Sequence, residues 1–168
     1  MAYQVRAAKE ADIPRMLELF EGAVRRMRAE GNLTQWKDYP KRELLLSDIE
    51  KQQSFLITEG EEIIGTFVFM LREEPTYRVI EDGAWLNDQA YGTIHRIAGD
   101  GIHHGILRTA VEYAGRYTGN IRLDTHEKNR SMQAAAKALG FIRCGIIYVA
   151  DANSDHEPRI AYQRIREC

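Results

Sequence analysis

Two glycines separate an apolar strand pattern from an amphipathic helix pattern within residues 93–114. Gly99 and Gly101 carry no Cβ atom, so the backbone there can turn tightly and approach an anion closely. The free N–H groups of the first helical turn and the helix dipole would point at the same place. The spacing therefore indicates a phosphate site, although two glycines can also do no more than turn a strand into a helix.

A second informative pattern covers residues 129–141. Asn129 can cap a helix by accepting a backbone N–H bond, and Gly140 can supply the left-handed residue that ends it. One face of this helix carries the apolar residues Met132, Ala135 and Leu139. Strand-like segments at residues 121–125 and 141–149 flank the helix, so strand, helix, glycine stop and strand follow in order.

These residues resemble the GNAT superfamily of acyl-CoA N-acyltransferases. In that family a late helix opens on Asn, carries a small or apolar residue three positions on, and closes with Leu-Gly-Phe before a strand. Asn129, Met132 and residues 139–141 have this spacing. The family's pyrophosphate loop has Arg or Gln, two residues, Gly, one residue, then Gly or Ala. Residues 102–107 take these positions, and of them only Gly105 matches the pattern.

The rest of the chain continues the alternation of strand and helix patterns. Apolar residues at helical spacing predict one helix from Ile13 to Met27 and a second over residues 41–51. Further strands are predicted at residues 3–7, 55–58, 63–71 and 159–163, with a fourth strand in chain order just before Gly99. Residues 72–91 follow neither period and are predicted to form a loop.

This order of elements is similar to that of the whole GNAT fold. The resemblance implies an α/β (α+β) fold with a mixed, mostly antiparallel central sheet of six to seven strands. About four helices would flank the sheet, and strands four and five would splay apart.

The resemblance also implies that acetyl-CoA is the acyl donor and enters the gap between strands four and five. The backbone of Ile97 and Ala98 would then pair with the pantetheine arm. The remaining residues implicated in cofactor binding are Gly99, Gly101, His103, His104, Gly105, Asn129 and Met132. The acceptor would be a primary amine on a small molecule, a protein or a peptide.

Acyl transfer from a thioester to an amine needs a base for the ammonium, a donor for the oxyanion and an acid for the thiolate. His95 is our candidate base, because it lies in the strand-four segment where some family members place a catalytic His or Glu. A hydrogen-bonded core histidine is the alternative interpretation. Glu73 and Glu74 are further candidate bases, and the favoured alternative for each is a solvated loop charge.

The acid is harder to assign from the sequence. The family often places a Tyr seven residues after the helix-opening Asn, and here that position is Ala136. Tyr148, at the end of the following strand, is a candidate substitute, although a strand Tyr can also serve packing alone. Water could protonate the thiolate instead.

Aromatic residues in the two long connections could form a wall of the acceptor site or pack onto the core. We select Trp36, Tyr39 and Trp85 as candidate substrate contacts. The alternative to an enzyme is a non-catalytic GNAT-like module that binds acyl-CoA or has a regulatory role. The incomplete loop pattern and the absence of the family's Tyr both favour this alternative.

Length and composition exclude several classes of protein. A chain of 168 residues predicts one domain spanning residues 1–168. The net charge of −2 argues against a nucleic-acid partner, and no apolar run approaches the roughly 20 residues of a membrane span. The five histidines lack the spacing of a metal site, so no metal is expected. No secretory signal is recognisable, which predicts a cytoplasmic protein, and the family analogy allows a homodimer.

Overall fold

The computed structural model describes residues 3–37, 40–149 and 157–166. Its strands are β1 (Gln4–Ala7), β2 (Ser54–Glu59), β3 (Glu62–Met70), β4 (Gly92–Gly99), β5 (Asn120–Thr125), β6 (Ile142–Tyr148) and β7 (Pro158–Ile165). Its helices are α1 (Ile13–Ala29), α2 (Arg42–Glu50), α3 (Ile106–Ala114) and α4 (Arg130–Ala138), with short 3-10 turns at Glu10–Asp12 and Pro75–Tyr77.

The strands form a 7-stranded sheet in the order β1-β2-β3-β4-β5-β7-β6. Neighbouring strands are antiparallel except β4 and β5, which are parallel and pair only at Gly92 with Ile121 and at Thr93 with Arg122. Beyond Thr93 the two strands diverge, although β4 continues to Gly99 and β5 to Thr125. The predicted fold class, including the splayed fourth and fifth strands, is confirmed.

A β-bulge interrupts β4 next to this gap. Val68 of β3 pairs with His95, and Thr66 pairs with Ala98, so Arg96 and Ile97 together face the single residue between them on β3. Arg96 has a φ of 43°, in the left-handed region that L-residues rarely adopt. A bulge places an additional residue in one strand and changes the direction of the side chains that follow it.

Helices cover both faces of the sheet. Apolar residues of α1 and α2, including Ile13, Phe20 and Leu45, pack with Leu56 and Ala98 on one face. The apolar faces of α3 and α4 pack into the larger core on the other face, whose members include Phe67, Ile94, Leu107, Ile121, Leu123 and Ala136. The two helix pairs therefore bound the gap between β4 and β5 from opposite sides.

The helix α4 begins and ends as its sequence predicts. The Asn129 side chain accepts a hydrogen bond from the Met132 N–H at 3.3 Å, and Gly140 has a φ of 87°. This cap satisfies one of the free N–H groups of the first turn, and the left-handed glycine lets the chain leave the helix toward β6.

The connection between β3 and β4 is anchored by a buried tyrosine. Tyr77 is 2% exposed and packs against the rings of Trp85 and Tyr91 at centroid distances of 5.0 and 6.3 Å. The N–H of Glu81 donates to the carbonyl of Ile146 at 2.8 Å. The connection is therefore packed onto the sheet, which gives the side chains at its start a defined position.

Candidate active site

A cavity of about 950 Å³ lies where β4 and β5 separate. It extends from the glycine turn after β4 to the start of the connection that follows β3, and α1, α3 and α4 contribute to its walls. Most of the residues selected from the sequence line it: Trp36, His95, Ile97, Ala98, Gly99, Gly101, His103, His104, Gly105, Asn129 and Met132. Residues from separate parts of the chain thus meet in one cavity.

The glycine end of the cavity leads into the N-terminus of α3. Gly105 precedes this helix with a φ of 81°, and no atom lies within 4 Å of the position that a Cβ would occupy there. Free N–H groups at the start of a helix favour an anion. This end of the cavity therefore has space, backbone donors and a favourable dipole for a phosphate.

Arg26 of α1 lies against the same turn, and its position was not anticipated from the sequence. Its Nη2 donates to the Gly99 carbonyl at 2.7 Å, and a Cβ on Gly101 would come within 2.6 Å of its Nη1. The absence of a side chain at Gly101 therefore leaves room for Arg26. Glycine also adopts the left-handed φ of 79° found there without strain. The guanidinium adds positive charge to this end of the cavity.

Asp100 and His103 form a pair within the turn. The Asp100 carboxylate accepts the N–H groups of Ile102 and His103 at 2.8 and 2.9 Å and lies 2.6 Å from His103 Nδ1. Burial raises the pKa of Asp100, but these N–H groups and His103 outweigh burial and lower it. The hydrogen bond to Asp100 raises the pKa of His103. The positive charge that this favours on His103 offsets the negative charge of Asp100.

The other end of the cavity holds two carboxylates around His95. Its Nε2 lies 3.2 Å from Glu74 Oε2, and its Nδ1 lies 4.0 Å from Asp124 Oδ2. The Tyr77 hydroxyl donates to the same Asp124 oxygen at 2.6 Å, and the Tyr91 hydroxyl accepts the Glu74 N–H at 2.8 Å. The hydroxyls of Tyr77 and Tyr91 thus help to position the Asp124 side chain and the Glu74 backbone at the cavity.

The surroundings keep this cluster in a defined charge state. Burial raises the pKa of Glu74, but the hydrogen bond and charge of His95 and the N–H of Thr76 outweigh it and lower the pKa to about 2. Burial and the neighbouring Asp124 raise the pKa of Tyr77 well above its ordinary value. Glu74 is therefore ionised near neutral pH, while Tyr77 remains a proton donor to Asp124.

Three of the selected residues, Glu73, Tyr148 and Trp85, lie away from the cavity lining. Glu73 is exposed and forms an ion pair with Arg78 at 2.9 Å, whereas its neighbour Glu74 faces the cavity. Tyr148 is 41% exposed on β6, and its hydrogen bond to Glu81 raises its pKa.

Trp85 also lies away from the cavity. It belongs to the connection between β3 and β4, and its ring packs against Tyr77 of the same connection. Its Nε1 donates to the Tyr77 carbonyl at 2.9 Å, and the Arg122 guanidinium lies 4.2 Å from the centre of its ring. Tyr39, the remaining candidate substrate contact, lies outside the residues that the structure describes.

A second polar cluster is centred on His126, just before α4 in the chain, and of its members only Arg159 lines the cavity. The His126 Nδ1 accepts the N–H of Lys128 at 3.0 Å, so its Nε2 carries the proton that is donated to Glu157 at 2.8 Å. Glu157 also accepts the Thr34 hydroxyl and lies 3.2 Å from the Arg159 guanidinium. Both nitrogens of His126 are engaged, which leaves His95 as the better candidate base.

Asp124 is the functional candidate that sequence reasoning missed and could have found. It alternates with apolar residues in the strand pattern of residues 121–125. A carboxylate within a central strand is rarely buried without a partner, so its presence there signals a specific role. Arg26 had no comparable signal, because charged residues are ordinary on the exposed side of an amphipathic helix.

The described residues provide neither a metal cluster nor a membrane span. No group of three or more His, Cys, Asp or Glu side chains within residues 3–37, 40–149 and 157–166 could hold a metal ion. In the same part of the chain, no helix combines the length and the apolar character needed to cross a bilayer.

The chain is similar to an acetyltransferase of the GNAT family from Streptococcus agalactiae 2603, at 31% sequence identity and a TM-score of 0.84. That likeness covers 99% of this chain and 96% of the other. A GNAT-family acetyltransferase from Bacillus cereus ATCC 10987 shares the fold at 17% identity and a TM-score of 0.67, over 100% of both chains. The fold is also shared by yncA from Salmonella typhimurium, solved with its cofactor acetyl-CoA, at 16% identity and a TM-score of 0.62, over 98% and 94% of the chains. No protein-family model and no curated protein matches the sequence.

Proposed function

Because this chain belongs to the GNAT family of acetyltransferases, we propose that it transfers an acetyl group from acetyl-CoA to a primary amine. The acceptor amine would be carried by a small molecule, a protein or a peptide. One observation supports this proposal above the others: a single cavity joins the glycine turn before α3 to the cluster of Glu74, His95 and Asp124.

The residues present fit acetyl-CoA. On its side toward β5, β4 has no strand partner beyond Thr93 in the described part of the chain, so backbone groups on that side are available to a pantetheine arm. The turn from Gly99 to Gly105, with Arg26 beside it, would hold the pyrophosphate. Acetyl-CoA supplies the acetyl group as a thioester.

The acceptor nitrogen reaches the cavity as an ammonium and must lose a proton before it can attack. Glu74 is ionised and lies against His95 Nε2, which favours a proton on that nitrogen and leaves Nδ1 as the acceptor. Asp124, 4.0 Å from Nδ1, attracts the ammonium and stabilises the imidazolium formed by proton transfer. His95 is thus the proposed base, and the two carboxylates orient and support it.

The other two chemical tasks fall to the backbone and to water. A backbone N–H of β4 at the gap is the proposed donor to the developing oxyanion. None of the described residues that line the cavity is a Tyr, and the position where the family often has one is Ala136. We therefore assign protonation of the thiolate to water.

The first test is titration of the purified protein with acetyl-CoA and with CoA by calorimetry, followed by a screen of amines for release of free CoA. His95→Ala should keep the dissociation constant of acetyl-CoA within about threefold and lower kcat by roughly 10²- to 10⁴-fold. Unchanged turnover in this variant would remove His95 from the mechanism.

Adjacent glutamates offer a matched pair for the same assay. Glu74→Gln should lower kcat because it removes the charge that supports His95, whereas Glu73→Gln removes only an exposed ion pair and should leave kcat unchanged. Equal effects of the two substitutions would contradict the assignment of Glu74.

A non-catalytic acyl-CoA-binding module is the second candidate function. The Ala at position 136 and the engagement of two loop N–H groups by Asp100 favour it. Tight binding of acetyl-CoA without CoA release for any amine in the screen would support this module over the enzyme.

A further inference from the structure

The bulge in β4 depends on an unusual backbone conformation. Four non-glycine residues in the described part of the chain have a positive φ: Trp36, Gln52, Asp82 and Arg96. Of these, Arg96 alone lies within a strand. Residues other than Gly, Asn and Asp rarely adopt this conformation, so contacts of Arg96 with the surrounding structure must hold it there.

A contact that orients the Arg96 side chain comes from α2. Its Nε and Nη2 donate to the two carboxylate oxygens of Asp48 at 2.8 and 2.7 Å. Asp48 is 2% exposed, and one of its oxygens also accepts the Gln53 side-chain N–H at 2.8 Å. A bidentate pair fixes the orientation of a guanidinium as well as its distance, and a buried pair is weak evidence for stability alone.

The bulge determines which way the residues of the proposed site point. Thr66 and Val68 lie on one face of β3, so their partners Ala98 and His95 share a face of β4. Side chains alternate along a regular strand, so His95 and Ala98 can share a face only because the bulge adds a residue between them. Without the bulge, one of the two would turn to the opposite face.

We propose that Asp48 is a positioning residue for acyl transfer, acting through Arg96. The pair keeps Arg96 left-handed, which maintains the bulge, directs His95 toward the acceptor and keeps the backbone of Ile97 at the gap. The proposal rests on the proposed function of the cavity, and it connects α2, which has no residue in the cavity lining, to β4, which carries His95.

The test compares two double variants that differ by one methyl group. Asp48→Asn with Arg96→Gly and Asp48→Asn with Arg96→Ala both lack the ion pair, but only Gly adopts a positive φ without strain. The Gly variant should keep kcat within about threefold of the wild type, and the Ala variant should lose roughly tenfold or more, given the left-handed penalty of a Cβ. The KM for acetyl-CoA should change less than kcat in both.

The single variant Asp48→Asn supplies a rescue test that does not require the Ala variant to fold. Its kcat should fall, and adding Arg96→Gly should restore it. Equal kcat in the two double variants, or full kcat in Asp48→Asn, would overturn the proposal. Glu10→Gln is the matched control, because it removes an exposed ion pair to α2, with Arg42 at 3.4 Å, and should leave kcat unchanged.

Backbone amide spectra provide a readout that does not depend on turnover. The cross-strand NOEs that report the bulge, between His95 and Val68 and between Ala98 and Thr66, should persist in the Gly double variant and weaken in the Ala double variant and in Asp48→Asn. If the wild type neither binds acetyl-CoA nor turns over, the proposed function fails, and these spectra still decide the role of the pair. Wild-type NOEs at these positions in all of the variants would overturn it.

Discussion

The lowered pKa of Glu74 depends on His95, and this dependence can be tested without knowing the acceptor. His95→Ala removes the hydrogen bond at 3.2 Å and the charge that lower the pKa of Glu74 to about 2 from an ordinary 4.5. Burial, which raises the pKa of Glu74, is then opposed only by the backbone N–H and the side chain of Thr76. We expect the pKa of Glu74 to return at least to its ordinary range in this variant.

The size of the effect follows from the two pKa values. A fall from 4.5 to about 2 corresponds to about 3 kcal/mol in favour of the folded state with Glu74 ionised. Because the pKa is lowered by folding, this contribution is present above pH 4.5 and is lost as the pH falls toward about 2. The wild type should therefore lose up to about 3 kcal/mol more than His95→Ala over that window.

The measurement is the free energy of unfolding by urea at closely spaced pH values from 2.5 to 7, together with the ¹³C titration of the Glu74 carboxyl. Any loss of packing in His95→Ala is independent of pH and shifts the whole curve, so only the slope tests the coupling. Glu73→Gln is the control, because its exposed ion pair should contribute no more than about 1 kcal/mol. Parallel curves for wild type and variant, or a Glu74 that still titrates near pH 2 in the variant, would refute the coupling.

Two further predictions address the two ends of the cavity. Gly105→Asp should fold, because nothing lies within 4 Å of the new Cβ and Asp tolerates a left-handed conformation. Its added negative charge should weaken CoA binding about tenfold or more. An unaltered dissociation constant in calorimetry would place the phosphates elsewhere. Tyr77→Phe removes the buried hydroxyl that donates to Asp124 at 2.6 Å and should cost about 1–3 kcal/mol in urea denaturation, whereas wild-type stability would mean that water replaces the donor.

Local sequence was sufficient for the elements whose signals lie within a few residues. The cap at Asn129, the left-handed Gly140 and the amphipathic face between them predicted α4 because capping and helical period act over one or two turns. The glycine turn before α3 was equally local. With the resemblance to a family, the same patterns also predicted the order of helices and strands along the chain and the splay between β4 and β5.

The candidate site was only partly predictable, because the direction of a side chain in a loop follows no period. Glu73 and Glu74 were equivalent in the sequence, and the packing of the connection after β3 turned only Glu74 toward His95. Trp85 packs against Tyr77 within that connection and does not line the cavity. These outcomes depend on packing between segments, which patterns within one segment do not contain.

The sequence by itself determined that this chain has a strand carrying His95, then a glycine turn suited to an anion, and then a capped late helix, in the order of the family. Only the tertiary structure decided what His95 meets: Glu74 is 21 residues away in the chain, and the pair that holds the adjacent Arg96 spans 48 residues. Local signals arise from backbone hydrogen bonds and side-chain period, which are readable in one segment. Ion pairs across the fold exist only after the sheet and its helices have packed, because packing brings distant charges together and removes the water that would otherwise separate them.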